Sequence, residues 1–133
     1  MSDEDVVHPL KWCIYWTDRW PNNNRNDPEP YKRRRVLHTR TDSRTELRWF
    51  MCITTKPPTG TRVYRVEIPR DSPDFDATGL KRSEASYVDC EDYHPLAAGE
   101  HSSEPIGTLG RDLRTVVMAT AIAAALARMP DEE

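Results

Sequence analysis

Eleven prolines against five glycines punctuate this 133-residue chain, and that punctuation limits what it can fold into. Proline ends helices and central strands, so the spacing predicts many short elements joined by firm turns. Between the breaks, side chains alternate with the period of a β-strand. In HPLKWCIYW (8–16), Trp12, Ile14 and Trp16 fall on one side and Cys13 and Tyr15 on the other, a strand with two apolar faces. Further strands are expected over 34–40 (RRVLHTR), 47–55 (LRWFMCITT), 61–68 (TRVYRVEI) and around Ser86 to Cys90. The segment 17–32, with three prolines and four asparagines, reads as a long loop, and 69–79 as another. Loops of such length in a small domain are usually functional or mobile.

The last element differs. Residues 110–129 hold no proline or glycine after Gly110, and the middle of the run is apolar nearly all round. Thr108 or Gly110 can cap a helix here, and Asp112 suits its positive end. Such a helix is expected to pack on two sides, against a sheet and against a second subunit. The order, strands then one helix, predicts an α+β fold, mainly β: a small antiparallel barrel closed by a C-terminal helix. The length argues for one domain over 11–129, between an acidic tail (1–10) and a short C-terminal tail (130–133). No stretch is apolar enough for a membrane span, and MSDEDVV is no secretory signal. Cys13, Cys52 and Cys90 form no CxxC pair and read as reduced, buried thiols of a cytosolic protein.

Charge is distributed unevenly. The net charge is −3, yet residues 11–70 carry 14 Lys/Arg against 6 Asp/Glu, and residues 71–133 carry 5 against 13. That asymmetry fits a polyanion bound to one part of the surface, and equally two halves that neutralise each other. The cations concentrate at Lys32, Arg33, Arg34 and Arg35, with Arg40 following. A guanidinium offers a planar fork of donors that matches phosphate oxygens, so the run suits a nucleic-acid backbone. On an alternating strand only some of these side chains would face a groove; the rest would guard a sheet edge. Thr54, Thr55 and Lys56 end the most apolar strand, where their hydroxyls either hold a phosphate or cap the strand. Lys81 and Arg82 stand just before the strand that carries Ser86. His38 shares a strand side with Val36 and Arg40, and with Arg34 on a regular strand, and competes for an acid/base role, since imidazole titrates near neutral pH. His8, His94 and His101 lie in loop-like sequence, and the Cys90–His94 spacing has nothing nearby to complete a metal site.

Taken in order, Arg34 or Arg35 before Val36-Leu37, Ile53-Thr54, Gly79-Leu80-Lys81, Ser86-Tyr87-Val88 and Ile106-Gly107-Thr108-Leu109 resemble the MazF/PemK-like (CcdB/PemK) toxins of bacterial toxin–antitoxin systems. The resemblance spans about residues 11–128. It departs in lacking the family's Gly-Asp-Ile opening and the proline after its arginine. It implies a small antiparallel SH3-like (CcdB/PemK) barrel with a C-terminal helix, and a cytoplasmic, homodimeric endoribonuclease that cuts single-stranded RNA without metal or cofactor. The 2′-hydroxyl attacks the adjacent phosphorus, leaving a 2′,3′-cyclic phosphate, until a cognate antitoxin binds. Residue by residue, the arginine is Arg34, with Arg35 second, and the threonine is Thr54. Ser86 would add a hydrogen bond, and His38 is the rival catalyst. Lys32, Arg33, Arg35, Arg40, Thr55, Lys56, Lys81 and Arg82 would hold the RNA, with Trp20, Tyr31 and Trp49 as stacking candidates. Ser2 to Asp5 would lie near the groove and weaken RNA binding. Two alternatives stand beside this reading: a non-catalytic member of the fold that blocks a protein target such as a topoisomerase, and a basic module that only binds nucleic acid.

Overall fold

In the computed structural model, residues 10–22, 24, 26–60 and 62–128 are described. The tails at 1–9 and 129–133, with His8 and Ser2 to Asp5, lie outside them, as does Thr61. Six strands run in order: β1 (Cys13–Pro21), β2 (Tyr31–Thr41), β3 (Arg48–Thr54), β4 (Arg65–Glu67), β5 (Tyr87–Leu96) and β6 (Gly107–Thr108). Among the described residues a single α-helix, α1 (Arg111–Arg128), follows. They form one antiparallel sheet in the spatial order β4-β5-β3-β2-β1-β6, curled into a half-barrel. The class is α+β, mainly β, as expected. The sheet is not closed edge to edge, since β4 and β6 each have one neighbour.

Alternation builds two cores, one on each face. Ile14, Leu37, Met51, Ile53 and Val88 point to the face that α1 covers through Val117. Cys13, Tyr15, Val36, Phe50 and Cys52 point to the other, together with Trp20 and Leu96. The two-faced reading of the first strand therefore holds. Burial of each large apolar side chain contributes about 1.5–3 kcal/mol, and Ile14, Val36, Leu37, Phe50 and Val88 are all fully buried. The three cysteines are free and buried. The helix packs on one side only: Val116, Met118, Ile122 and Leu126 are exposed.

Boundaries differ from the expectation in four places. The first strand starts at Cys13 because Trp12 has a left-handed backbone, φ 69°, which no strand accommodates. It then runs on through Thr17 to Pro21 and pairs with Tyr31–Arg34 across a bulge. The expected 17–32 loop shrinks to 22–30. There the asparagines act as turn formers: Asn22 Oδ1 accepts the Asn24 amide, Asn24 Oδ1 accepts the Asn26 amide, and Asn22 Nδ2 donates to the Glu29 carbonyl. Pro21 lies where β1 runs free of β6, the edge setting in which strands tolerate proline. Among the described residues, the expected 61–68 strand reduces to Arg65–Glu67, because Thr59 and Arg62 bridge into a tight turn. The last long strand continues past Cys90 to Leu96 after a wide bulge: Cys52 pairs with Asp89, but its neighbour Met51 pairs with Tyr93.

Two glycines explain why the Gly79 and Gly107 segments belong together. A Cβ on Gly79 would stand 2.5 Å from the Ile106 carbonyl oxygen, and one on Gly107 would stand 2.3 Å from that of Ala77. The segment entering α1 thus lies directly on the short 3₁₀ turn Asp76–Thr78, and neither glycine can carry a side chain.

Candidate nucleic-acid groove

At one end of the sheet, the start of β2, the end of β3 and the bulge of β5 surround two adjoining clefts that share Arg34, Thr54 and Lys56. Pleating divides the basic run between them, as alternation requires. Lys32 faces the first cleft, Arg33 and Arg35 the second, and Arg34 reaches both. The first cleft gains Arg62 and Arg65 from the β4 side, and the second gains Lys81. Eight Lys/Arg line the pair of clefts against three acids, Asp89, Asp92 and Glu84. A concave surface so lined attracts a polyanion along its length.

Each arginine is held differently. Arg33 stands over Trp16 with its guanidinium carbon 4.5 Å from the ring centroid, and Arg35 stands at 5.9 Å. Trp16 is 36% exposed, so the second cleft has an aromatic wall flanked by guanidiniums. Arg34 donates only to the neighbouring Arg33 carbonyl, at 3.0 Å, among the described hydrogen bonds. It enters the cleft with most of its donors unspent. Arg65 is committed: its Nε lies 3.2 Å from Asp89 Oδ2 in a nearly buried ion pair. Thr54 Oγ1 accepts the Lys56 amide at 3.2 Å, which caps the strand end. Its hydroxyl proton is left for donation to an occupant of the clefts it lines.

The floor of the first cleft is acidic. Trp20, itself buried, donates its indole N–H to Asp92 Oδ2 at 2.9 Å. Beneath lies Cys52, whose thiol is pushed up to about 12, by burial first and then by Asp92, with Arg34 acting in the opposite sense. A thiol so placed stays protonated near neutral pH and is no nucleophile.

Several expected site residues are not brought here. His38 shares the sheet face of Arg34, as alternation demanded, but Val36 separates them and His38 is 3% exposed. Its Nε2 meets Thr41 Oγ1 at 3.1 Å and its ring packs on Phe50, 5.2 Å between centroids. Burial holds its imidazole below the ordinary value. Ser86 is buried, and its Oγ has no hydrogen-bond partner among the described residues. Arg40 stacks on Trp49 at the far end of β2, and Arg82 is tied to Asp76 and the Arg70 carbonyl. Trp49 stacks on Tyr93, and Tyr31 lies under Arg19, so neither lines the clefts. The residues that sequence reasoning passed over are Trp16 as an exposed ring, Arg62, Arg65 and the two aspartates. The bulge that turns Asp89 and Asp92 the same way breaks strand alternation and left no local signal.

Among the described residues, no cluster of three or more His, Cys, Asp or Glu could hold a metal ion. No helix of them is long and apolar enough to cross a membrane. No protein-family model matches the chain, and no curated protein matches it.

Proposed function

We propose that this chain is a MazF/PemK-like toxin: a cytoplasmic, homodimeric endoribonuclease that cuts single-stranded RNA without metal and is restrained by an antitoxin. The observation that carries the reading is the convergence of Arg34 and Thr54, from neighbouring strands, where two adjoining clefts lined between them by eight cations meet. The curled sheet with a C-terminal helix is compatible with a CcdB/PemK barrel. The exposed Val116, Met118, Ile122 and Leu126 offer a face for a second copy.

The chemistry follows from the groove. RNA lies with its phosphates along Lys32, Arg33, Arg35, Lys56 and Lys81, and a base rests near Trp16. Arg34 directs its fork at the scissile phosphate and stabilises the charge that builds on the phosphoryl oxygens. It acts as a fixed cation, because a guanidinium does not give up its proton. Thr54 holds the phosphate or the 2′-hydroxyl by its O–H. The O2′ attacks phosphorus, the P–O5′ bond breaks, and the products carry a 2′,3′-cyclic phosphate and a 5′-hydroxyl.

The test is incubation of the purified chain with a varied RNA pool in excess EDTA, followed by end-group analysis, with Arg34→Ala, Arg35→Ala and Thr54→Ala alongside. Discrete cuts with cyclic-phosphate ends, lost in Arg34→Ala and weakened in Thr54→Ala, are expected. Tight, salt-sensitive binding with every strand intact would replace the nuclease by a nucleic-acid-binding module. Neither binding nor cutting would turn attention to a blocked protein target.

A further inference from the structure

A nuclease of this kind needs a group to take the 2′-hydroxyl proton, and Arg34 and Thr54 are both poor acceptors at neutral pH. The described side chains of the first cleft narrow the choice. Its two lysines and three arginines offer donors and no acceptor, and Cys52 is a neutral thiol. His38 is buried behind Val36. The proton acceptors left in that cleft are Asp89 and Asp92. Asp89 is spent: Oδ2 pairs with Arg65 Nε at 3.2 Å, Oδ1 accepts the Glu91 amide at 3.1 Å, and the side chain is 5% exposed. Glu84, in the second cleft, is exposed, and its carboxylate makes no hydrogen bond among the described residues.

Asp92 is different on each count. It lines the same cleft as Arg34 and Thr54. Its Oδ2 is fixed by the buried Trp20 indole N–H. Its Oδ1 stands 3.8 Å from His94 Nε2, beyond hydrogen-bond distance. A carboxylate has about four acceptor sites, so the Trp20 indole and the Cys52 thiol, which also hydrogen-bonds it, orient it without using it up. The β5 bulge, between residues paired with Met51 and Cys52, is what brings it to the groove; bulges commonly re-aim a side chain beside an active site.

We infer that Asp92 is the general base of this groove, taking the 2′-hydroxyl proton of the RNA while Arg34 neutralises the phosphoryl oxygens. The assignment rests on the nuclease reading above. In the step, the O2′–H proton passes to an Asp92 carboxylate oxygen as the O2′–P bond forms. The P–O5′ bond breaks, and the 5′-oxygen takes a proton from water. Asp92 returns its proton to solvent when the cyclic phosphate leaves. Trp20 is a positioning residue, holding the carboxylate through its indole.

The experiment uses the full chain and a short RNA that wild type cuts, under single turnover. Asp92→Asn keeps an oxygen for the Trp20 N–H and removes the base. Cleavage should fall about 100-fold or more, while affinity for the same RNA with a 2′-deoxy sugar at the cut stays equal or tightens, since an anion has left a cationic groove. Asp92→Glu, which restores a displaced carboxylate, should recover part of the rate and covers the case in which the amide variant folds poorly. A substrate with sulfur in place of the 5′-oxygen leaves without needing a proton. Asp92→Asn should remain slow on it. Full recovery there would overturn the base role and make Asp92 a leaving-group acid. Unchanged cleavage of ordinary RNA by Asp92→Asn would overturn the assignment and leave the nuclease standing. Absence of cleavage by folded wild type would overturn both.

Discussion

Strand β2 holds two regions that solve opposite problems with adjacent residues. From Tyr31 to Arg35 its side chains are exposed or half-buried, four of the five are cations, and their donors reach into clefts. From Val36 to Thr39 all four residues are buried, between Trp20 and Phe50 on one face and Ile14 and Met51 on the other. The backbone is continuous, with Tyr31 to Leu37 running along β1 and Arg35 to Thr41 along β3. What changes is the neighbourhood: β1 leaves β6 behind past Ile14, and the β5 bulge opens the floor. The lesson is that a groove can be made by withdrawing cover from one end of a strand whose other end anchors the core.

The sharpest way to test that division is to cut on both sides of the boundary. Arg34→Ala should lower RNA cleavage by about 100- to 1,000-fold, the size seen when one charge-stabilising donor is removed. Its unfolding free energy should stay within about 0.5 kcal/mol of wild type, because an exposed donor is lost and no cavity opens. Leu37→Ala should do the reverse: about 2–5 kcal/mol of stability lost in urea unfolding, with cleavage per folded molecule unchanged. Equal losses of both quantities in both variants would show that the two regions are one unit.

A smaller effect separates the regions by pH. His38 and His101 flank Phe50, 5.2 and 5.4 Å between ring centroids. Burial lowers both imidazoles below the ordinary 6.5. In each case the folded state binds the proton more weakly than the unfolded chain. Stability is therefore fully present above that ordinary value and is lost as pH falls through it toward the folded value. Thermal unfolding from about pH 7.5 to about pH 5 should show Tm falling by several degrees. His38→Asn should flatten that fall while leaving RNA affinity untouched. A pH-independent Tm would mean that these rings are solvated or already charged.

The same contrast explains how much was legible in the sequence. Where the chain runs as a continuous, paired strand, as in Val36–Leu37 and Phe50–Ile53, the apolar pattern identified the strands, and in β1 alternation also identified the two faces. The helix was legible because nothing in 111–128 interrupts it, and the basic run was visible as composition. What escaped was whatever depended on non-local pairing. Pro21 and the asparagines read as loop, yet Trp20, buried against Asp92, draws β1 onward to meet Lys32. Asp92 had no signal, because its direction is set by a bulge opposite Met51 and Cys52 that only strand pairing reveals. Arg40 and Arg82 belonged to the charge pattern but found local partners, Trp49 and Asp76. Charge alone does not report which cations stay unpaired.

That last distinction is measurable through salt. Binding of single-stranded RNA weakens with a slope of log K against log salt of about −0.7 per phosphate neutralised. Of the eight cations in the clefts, Arg65 is paired with buried Asp89, so it adds little; four or five simultaneous phosphate contacts would give a slope near −3. Lys32→Gln and Lys81→Gln, from opposite clefts, should each reduce the slope by about 0.7 and weaken binding alike for all sequences. Arg40→Gln and Arg82→Gln should leave it unchanged, since one guanidinium lies on Trp49 and the other is held by Asp76. If Arg40→Gln changes the slope as much as Lys32→Gln, the RNA path runs the whole length of β2. The boundary at Val36 would then divide burial but not binding. If only the cleft lysines change it, the groove ends where the core begins.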